Sequence, residues 1–390
     1  MRPGPLHDAL AGFVRSGELP GLIATVARQG VAEVEVIGAT AAGVGPPLRR
    51  DALFRISSMT KPITAAAAIA LVDDGKLTLD EPVDRLLPEL AHRRVLRRVD
   101  GPLDDTVPAH RPIAVRDLLT FTLGIGTLYA PPGATPIQRA IDELALGQGP
   151  PQPQTPPAPD EWLRRLGTLP LMRQPGACWI YNTGSDVLGV LIARAAGRPF
   201  ESFLRERLLD PLGMHDTGFS VPPAQRDRLV TGYQSDPGGG LRPFDPPDGQ
   251  WSRPPAFPAG AAGLVSTADD FLAFAEMLRS GGSHRGTRVL SAASVAAMTR
   301  DQLTPAQKAA SQWVPGFFDR FGWGLGMAVV TGDDESAAPG SYGWDGGLGT
   351  AWRTDPRAGT VTILLTQRAW AAPEPPPVCR AFWRAARAAG

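Results

Sequence analysis

The stretch Arg55–Pro62, RISSMTKP, sets two adjacent serines just ahead of a lysine. Ser57 lies four residues before Lys61 and Ser58 lies three before it, and on a helix both spacings bring the side chains to one face. The next residues, ITAAAAIALVDDGKL, are alanine-rich and almost without polar side chains. Alanine favours helix, and so apolar a helix is buried on most sides. Gly75, after Asp73 and Asp74, fits a helix C-cap. The segment before the serines, ALFRI, reads as a strand. The pattern is thus a strand running into a buried helix, with a serine at the junction. A serine at a helix N-terminus has unpaired backbone N–H groups beside it and sits in positive potential. A hydroxyl becomes a nucleophile only when a neighbour takes its proton. A lysine can do so if burial lowers its pKa from about 10.4. The spacing alone equally fits Ser58 as an N-cap and Lys61 as a snorkelling surface lysine.

The same logic extends outward. Residues 6–16 read as an amphipathic helix, and GLIATVARQG with VAEVEVIGAT as an antiparallel hairpin turning at Gly30. The centre carries helical patterns in IAVRDLLTFTLGIG, WLRRLGTLPLM, SDVLGVLIARAAG and TADDFLAFAEMLRSGG, where Thr267 is a natural N-cap. Residues 145–161 and 233–260 are rich in proline and glycine without apolar period. They read as long surface loops of the kind that border active sites, the second packing through Phe244, Trp251 and Phe257. FGWGLGMAVVT reads as one strand, the region around GLGTAWRT as another, and TVTILLTQR as a third after the turn DPRAG. A final amphipathic helix is VCRAFWRAARAAG. The expectation is an α+β fold in one domain, 1–390. An antiparallel sheet is built from both termini (about 1–57 and 315–390) and flanked by helices, around an α-rich region of about 58–314.

Composition narrows the function. Lysine plus arginine and aspartate plus glutamate are 39 each, which argues against a broad nucleic-acid surface. Two cysteines, Cys178 and Cys379, read as buried free thiols rather than a disulfide framework. The five histidines lack metal-ligand spacing, so no metal is expected. No apolar run approaches the roughly 20 residues of a membrane span, and no signal peptide is evident. The expectation is a soluble, cytoplasmic protein of open oligomeric state. There is no G-x-S-x-G elbow, phosphate loop or H-E-x-x-H, and Ser185-Asp186-Val187 departs from S-D-N.

RISSMTKPITAAAAIALVDDGKLTLDEPV resembles the first motif of the serine β-lactamase and penicillin-binding protein superfamily. In style it is nearest class C β-lactamases, D-alanyl-D-alanine carboxypeptidases and family VIII carboxylesterases. IAVRDLLTFTLGIG, LLDPLGMHDTGF and AAGLVSTADDFLAFAEML resemble further segments in the family's order, so the likeness covers nearly the whole chain. It implies that Ser58 is the nucleophile, with Ser57 its structural neighbour, and that Lys61 handles the proton. The Tyr-x-Asn motif falls on WIYNTGSDVLG and implies that Tyr181 shares that proton transfer. Beside a buried ammonium, Tyr181 is expected to ionise below its usual value near 10. Whether Lys61 or Tyr181 is the base stays open, since the two titrate as a pair. The sequence reads Tyr-Asn-Thr, so the family's asparagine at the third position is replaced by Thr183.

The Lys-Thr-Gly motif falls on Trp344, Asp345 and Gly346, with neither lysine nor hydroxyl. If Asp345 faced the pocket it would repel a substrate carboxylate. The resemblance implies an oxyanion hole of the Ser58 and Gly347 N–H groups. It implies no cofactor, and a small-molecule ester or amide as partner. Thr183, Trp344, Asp345, Gly346, Tyr129, Phe244, Trp251 and Phe257 are the candidates for substrate contact. The expected activity is a carboxylesterase acting through an acyl-enzyme. An acyltransferase stands second, then a β-lactamase or D-amino-acid peptidase; a non-catalytic module of the same fold is the reading from another class.

Overall fold

The computed structural model describes residues 4–43, 45–128, 130–147 and 149–388. Its frame is a seven-stranded antiparallel sheet. In chain order the strands are β1 (Gly21–Arg28), β2 (Val31–Gly38), β3 (Phe321–Trp323), β4 (Ala328–Val330), β5 (Tyr342–Gly346), β6 (Thr350–Asp355) and β7 (Thr360–Thr366). They lie side by side as β3-β4-β5-β6-β7-β1-β2, so the N-terminal hairpin completes a sheet begun by the C-terminal strands. The first hairpin turns where expected, with Gln29 at φ 50° and Gly30 at φ 85°. Two successive residues at positive φ make the tight turn whose twist matches paired strands.

Both faces of the sheet are covered. Helices α1 (Pro5–Arg15) and α5 (Pro377–Ala388) close one side. There Leu22, Ala24 and Val26 of β1 and Leu364 of β7 pack with Leu10, Phe382 and Trp383. The alternate residues Ile23 and Ala27, with Ile363 and Leu365, join the larger core of the helical region. A period of two thus feeds two separate cores. The central elements that bear on the site are α2 (Thr60–Asp73), α3 (Thr183–Ala196) and α4 (Ala268–Arg279). Thr267 caps α4 by accepting from the Asp270 N–H. Gly75 follows α2 at φ 68°, with its N–H on Val72 and that of Lys76 on Leu71.

Three local expectations change. FGWGLGMAVVT is not one strand but the hairpin β3–β4, turning at Gly326 (φ 85°). A Cβ on Gly326 would meet that of Ala65 in α2 at 2.3 Å, so this turn lies against the buried helix. IAVRDLLTFTLGIG is helical only over Val115–Leu119. Residues 233–260 are not all loop: Leu241–Asp245 pairs with Gly232–Ser235 as a hairpin. Cys178 and Cys379 are buried free thiols. No described helix is long and apolar enough to cross a membrane.

Candidate active site

The strand–helix junction at RISSMTKP is built by long-range pairing. Phe54–Arg55 pairs with Val265–Ser266, and the Ile56 N–H reaches the Leu264 carbonyl at 3.1 Å. The Thr350 hydroxyl donates to the Ile56 carbonyl at 3.1 Å, tying the junction to the sheet. Arg55 is buried and donates to Asp245, which in turn accepts from the Gln250 N–H at 2.7 Å. One ion pair therefore joins the junction to the long loop after it. Ser57 then takes φ 46°, a left-handed conformation costly for a residue with a Cβ. The chain turns through a short 3₁₀ segment, Ser57–Met59, into α2. Ser58 so comes to the helix entrance, half-buried, where backbone N–H groups lack helical partners.

Lys61, one turn on, is wholly buried. Its Nζ lies 2.8 Å from the Ser58 Oγ and donates to the Ala261 carbonyl, also at 2.8 Å. Tyr181 arrives from the chain reversal before α3. Asn182 sits at φ 86°, ψ −66°, and the Thr183 N–H closes on the Tyr181 carbonyl at 3.3 Å, a strained three-residue turn. The Tyr181 hydroxyl donates to the Ser58 Oγ at 2.8 Å and accepts from the Trp344 indole N–H at 2.9 Å. Its ring packs against Trp179 and Trp313, which also touch each other, and Lys61 Nζ stands 4.5 Å from its centroid. Ser58, Lys61 and Tyr181 thus meet, although 123 residues separate the serine from the tyrosine.

Electrostatics divides the two proton-bearing groups. Burial lowers the Lys61 pKa to about 7, with Asp186 pulling partly the other way. Burial also raises Asp186 to about 6, opposed by the Ala261 N–H and by Lys61. Tyr181 moves opposite to expectation. Burial pushes the phenol above its ordinary value, outweighing its hydrogen bonds with Ser58 and Trp344. At neutral pH the tyrosine is therefore a neutral donor, and the lysine is the group with an available lone pair.

A cavity of about 740 Å³ opens over Ser58, with Tyr181, Asn182 and Gly347 on its wall. Both long loops border it, as expected for 145–161 and 233–260, and Gln154 fastens them by donating to the Gln250 and Arg253 carbonyls at 2.9 and 3.0 Å. Phe244 and Phe257 line it. A Cβ on Gly347 would meet nothing, so that backbone faces open space. On Gly346 it would come within 2.3 Å of the Ile56 carbonyl, so β5 crosses tightly against the junction there. Among the described lining residues, the charged ones are Asp142 and Asp186, and none is a lysine or arginine.

The other candidates fall elsewhere. Asp345 does not face the cavity; it points to the opposite side of β5 and forms a two-point ion pair with Arg353 at 2.7 and 2.8 Å, under Trp383. Trp251 is fully buried, its indole N–H on the Gly263 carbonyl and Arg55 over its ring. Thr183 is buried in the first turn of α3, and Asn182 takes the wall position beside Tyr181. Trp344 reaches the site through Tyr181. Tyr129 lies outside the described residues. In the sequence Asp186 stands out only as part of an S-D-N match that fails at Val187, although an acidic residue in the first turn of an apolar, buried helix was a visible signal. Among the described residues no cluster of three or more histidine, cysteine or acidic side chains could hold a metal ion.

The family described as Beta-lactamase matches residues 6–383. Protein Rv1367c of Mycobacterium tuberculosis is 42% identical over 362 residues, spanning 90% of this chain and 86% of its own. Esterase EstB of Burkholderia gladioli is 32% identical over 382 residues, spanning 92% and 88%. Among solved structures, EstCE1, described as a hydrolase with promiscuous acyltransferase activity, superposes with a TM-score of 0.80. The two are 25% identical, with 98% of this chain and 97% of that one covered.

Proposed function

The chain belongs to the Beta-lactamase family, and on that footing we propose that it is a serine hydrolase cleaving small carboxylic esters through a covalent acyl-enzyme. The observation that carries this reading is the Ser58 Oγ held 2.8 Å from both Lys61 Nζ and the Tyr181 hydroxyl, at the mouth of a cavity. Neutral Lys61 takes the Ser58 proton as Oγ bonds to the ester carbonyl carbon. The N–H groups of Ser58 and Gly347 receive the oxyanion; one such donor is worth about 3–4 kcal/mol to the transition state. As the carbon–oxygen bond to the alcohol breaks, Tyr181 gives its proton to the departing alkoxide and is reprotonated from Lys61. Water then enters, loses a proton to Lys61, and attacks the acyl carbon. The Ser58 oxygen leaves and recovers that proton.

The wall favours uncharged substrates, because no described lining residue is a cation that could hold a carboxylate. Esterase is therefore preferred to β-lactamase, whose substrates carry that group. Acyl transfer to an alcohol is the second reading, supported by the likeness to EstCE1. The test is turnover of neutral p-nitrophenyl esters by wild type and Ser58→Ala, with and without added alcohols. Loss of activity in Ser58→Ala supports the proposal, and the acid-to-ester product ratio separates hydrolysis from transfer. Full activity in Ser58→Ala would sink it, and nitrocefin turnover matching ester turnover would reverse the preference.

A further inference from the structure

The geometry points to Asp186 as the residue that positions Lys61, acting through the backbone of Ala261 rather than by direct contact. This rests on Lys61 being the base of the proposed reaction. Asp186 lies in the first turn of α3, accepts the Ala261 N–H at 2.9 Å, and is buried. The carbonyl of the same residue, Ala261, accepts from Lys61 Nζ at 2.8 Å. The relay is therefore carboxylate, Ala261, ammonium or amine, serine.

The chain around Ala261 is held from both sides. Thr64 of α2 donates to the Gly260 carbonyl at 2.8 Å, and Thr60 accepts the Leu264 N–H at 3.1 Å. A Cβ on Gly260 would stand 2.3 Å from the Ser185 carbonyl, so only glycine lets this segment approach α3 closely enough for Ala261 to meet Asp186. A buried carboxylate is costly unless its hydrogen bonds are made, so its presence in an apolar helix turn asks for a role.

The relay has two effects. The carboxylate fixes the direction of the Lys61 side chain, and its charge favours the protonated lysine. The groups that face Lys61 are Asp186 from α3, Tyr181 from the turn before it and Ser58 from its own segment. The 260–264 segment contributes a backbone carbonyl. From the sheet, Trp344 acts on Tyr181, and Asp345 lies on the far face of β5.

The test compares Asp186→Asn and Asp186→Ala as full-length folded proteins, reading kcat and KM for a neutral p-nitrophenyl ester across pH. Asp186→Asn keeps an acceptor for Ala261 but loses the charge. Its ascending pH limb is expected to move down by about one unit, with kcat at high pH nearly retained. Asp186→Ala loses the acceptor as well, and kcat is expected to fall roughly 10- to 100-fold with KM little changed. A purely structural Asp186 would lower melting temperature without moving the limb, so an Asp186→Asn profile superimposable on wild type overturns the inference. Should Asp186→Ala not fold, Asp186→Asn still decides. Fluorophosphonate labelling of wild-type Ser58 separates the two levels: no label there removes the proposed function itself, whereas a label with an unmoved limb removes only the role of Asp186.

Discussion

Acylation should switch on with pH near neutrality, because Lys61 acts as base only when deprotonated. Its folded pKa is lowered, to about 7, so the active neutral form is lost as pH falls through that value and saturates above it. From the titration curve, the neutral fraction is roughly nine-tenths near pH 8, half near pH 7 and one-tenth near pH 6. The rate of Ser58 acylation should therefore drop about tenfold between pH 8 and pH 6 and be almost flat from pH 8 to pH 9. A lysine at its ordinary 10.5 would behave differently: the rate would climb roughly tenfold per pH unit to about pH 10. Asp186, near 6, titrates close below, so the acid side of the limb reports both groups. The assay is the rate of fluorophosphonate labelling by intact mass, which avoids the ionisation of a chromogenic leaving group. A continued rise beyond pH 9 would refute the claim that burial has neutralised Lys61. A rate independent of pH between 6 and 8 would refute its role as base.

Three further outcomes are expected. Trp344→Phe removes the indole N–H from the Tyr181 hydroxyl, and should lower kcat about tenfold, roughly the worth of one such bond, with KM nearly unchanged; steady-state kinetics check it. Asp245→Ala strands the buried Arg55 guanidinium and should cost about 3–5 kcal/mol in urea unfolding, while a loss under about 1 kcal/mol would contradict the reading of that pair as the anchor between junction and loop. Gly326→Ala places a Cβ against Ala65 at a positive φ, and should destabilise by about 1–3 kcal/mol, read from the urea midpoint at unchanged slope.

What could be read from sequence was local and periodic. The hairpin at Gly30, helix α2 and the Thr267 cap each arise from a pattern within a dozen residues, and the structure has them. The sheet built from both termini was also legible, since the longest β patterns sit at the two ends. The break between β3 and β4 was not, because glycines in a strand-like run signal a turn only once Ala65 is known to lie against it. The direction of Asp345 was hidden for a related reason. Both faces of the sheet are covered, so alternation no longer tells inside from outside, and only Arg353 across the strand decides. Trp251 in a polar loop suggested a pocket, yet its partners Arg55 and Gly263 bury it. Tyr181 was drawn to the site by its motif, but its ionisation depends on burial among aromatic residues far apart in sequence. Asp186 speaks to Lys61 through the backbone of Ala261, 75 residues away, a link no spacing reveals.

The central claim is that Ser58 carries the acyl group during turnover. Rapid quenching of wild type with a slowly released p-nitrophenyl ester, then intact-mass analysis and peptide mapping, measures it directly. The proposed mechanism requires a mass increase equal to one acyl group, mapped to Ser58, appearing with a burst of p-nitrophenol and absent from Ser58→Ala. Steady ester turnover with Ser58 unmodified, or the same adduct in Ser58→Ala, would contradict it.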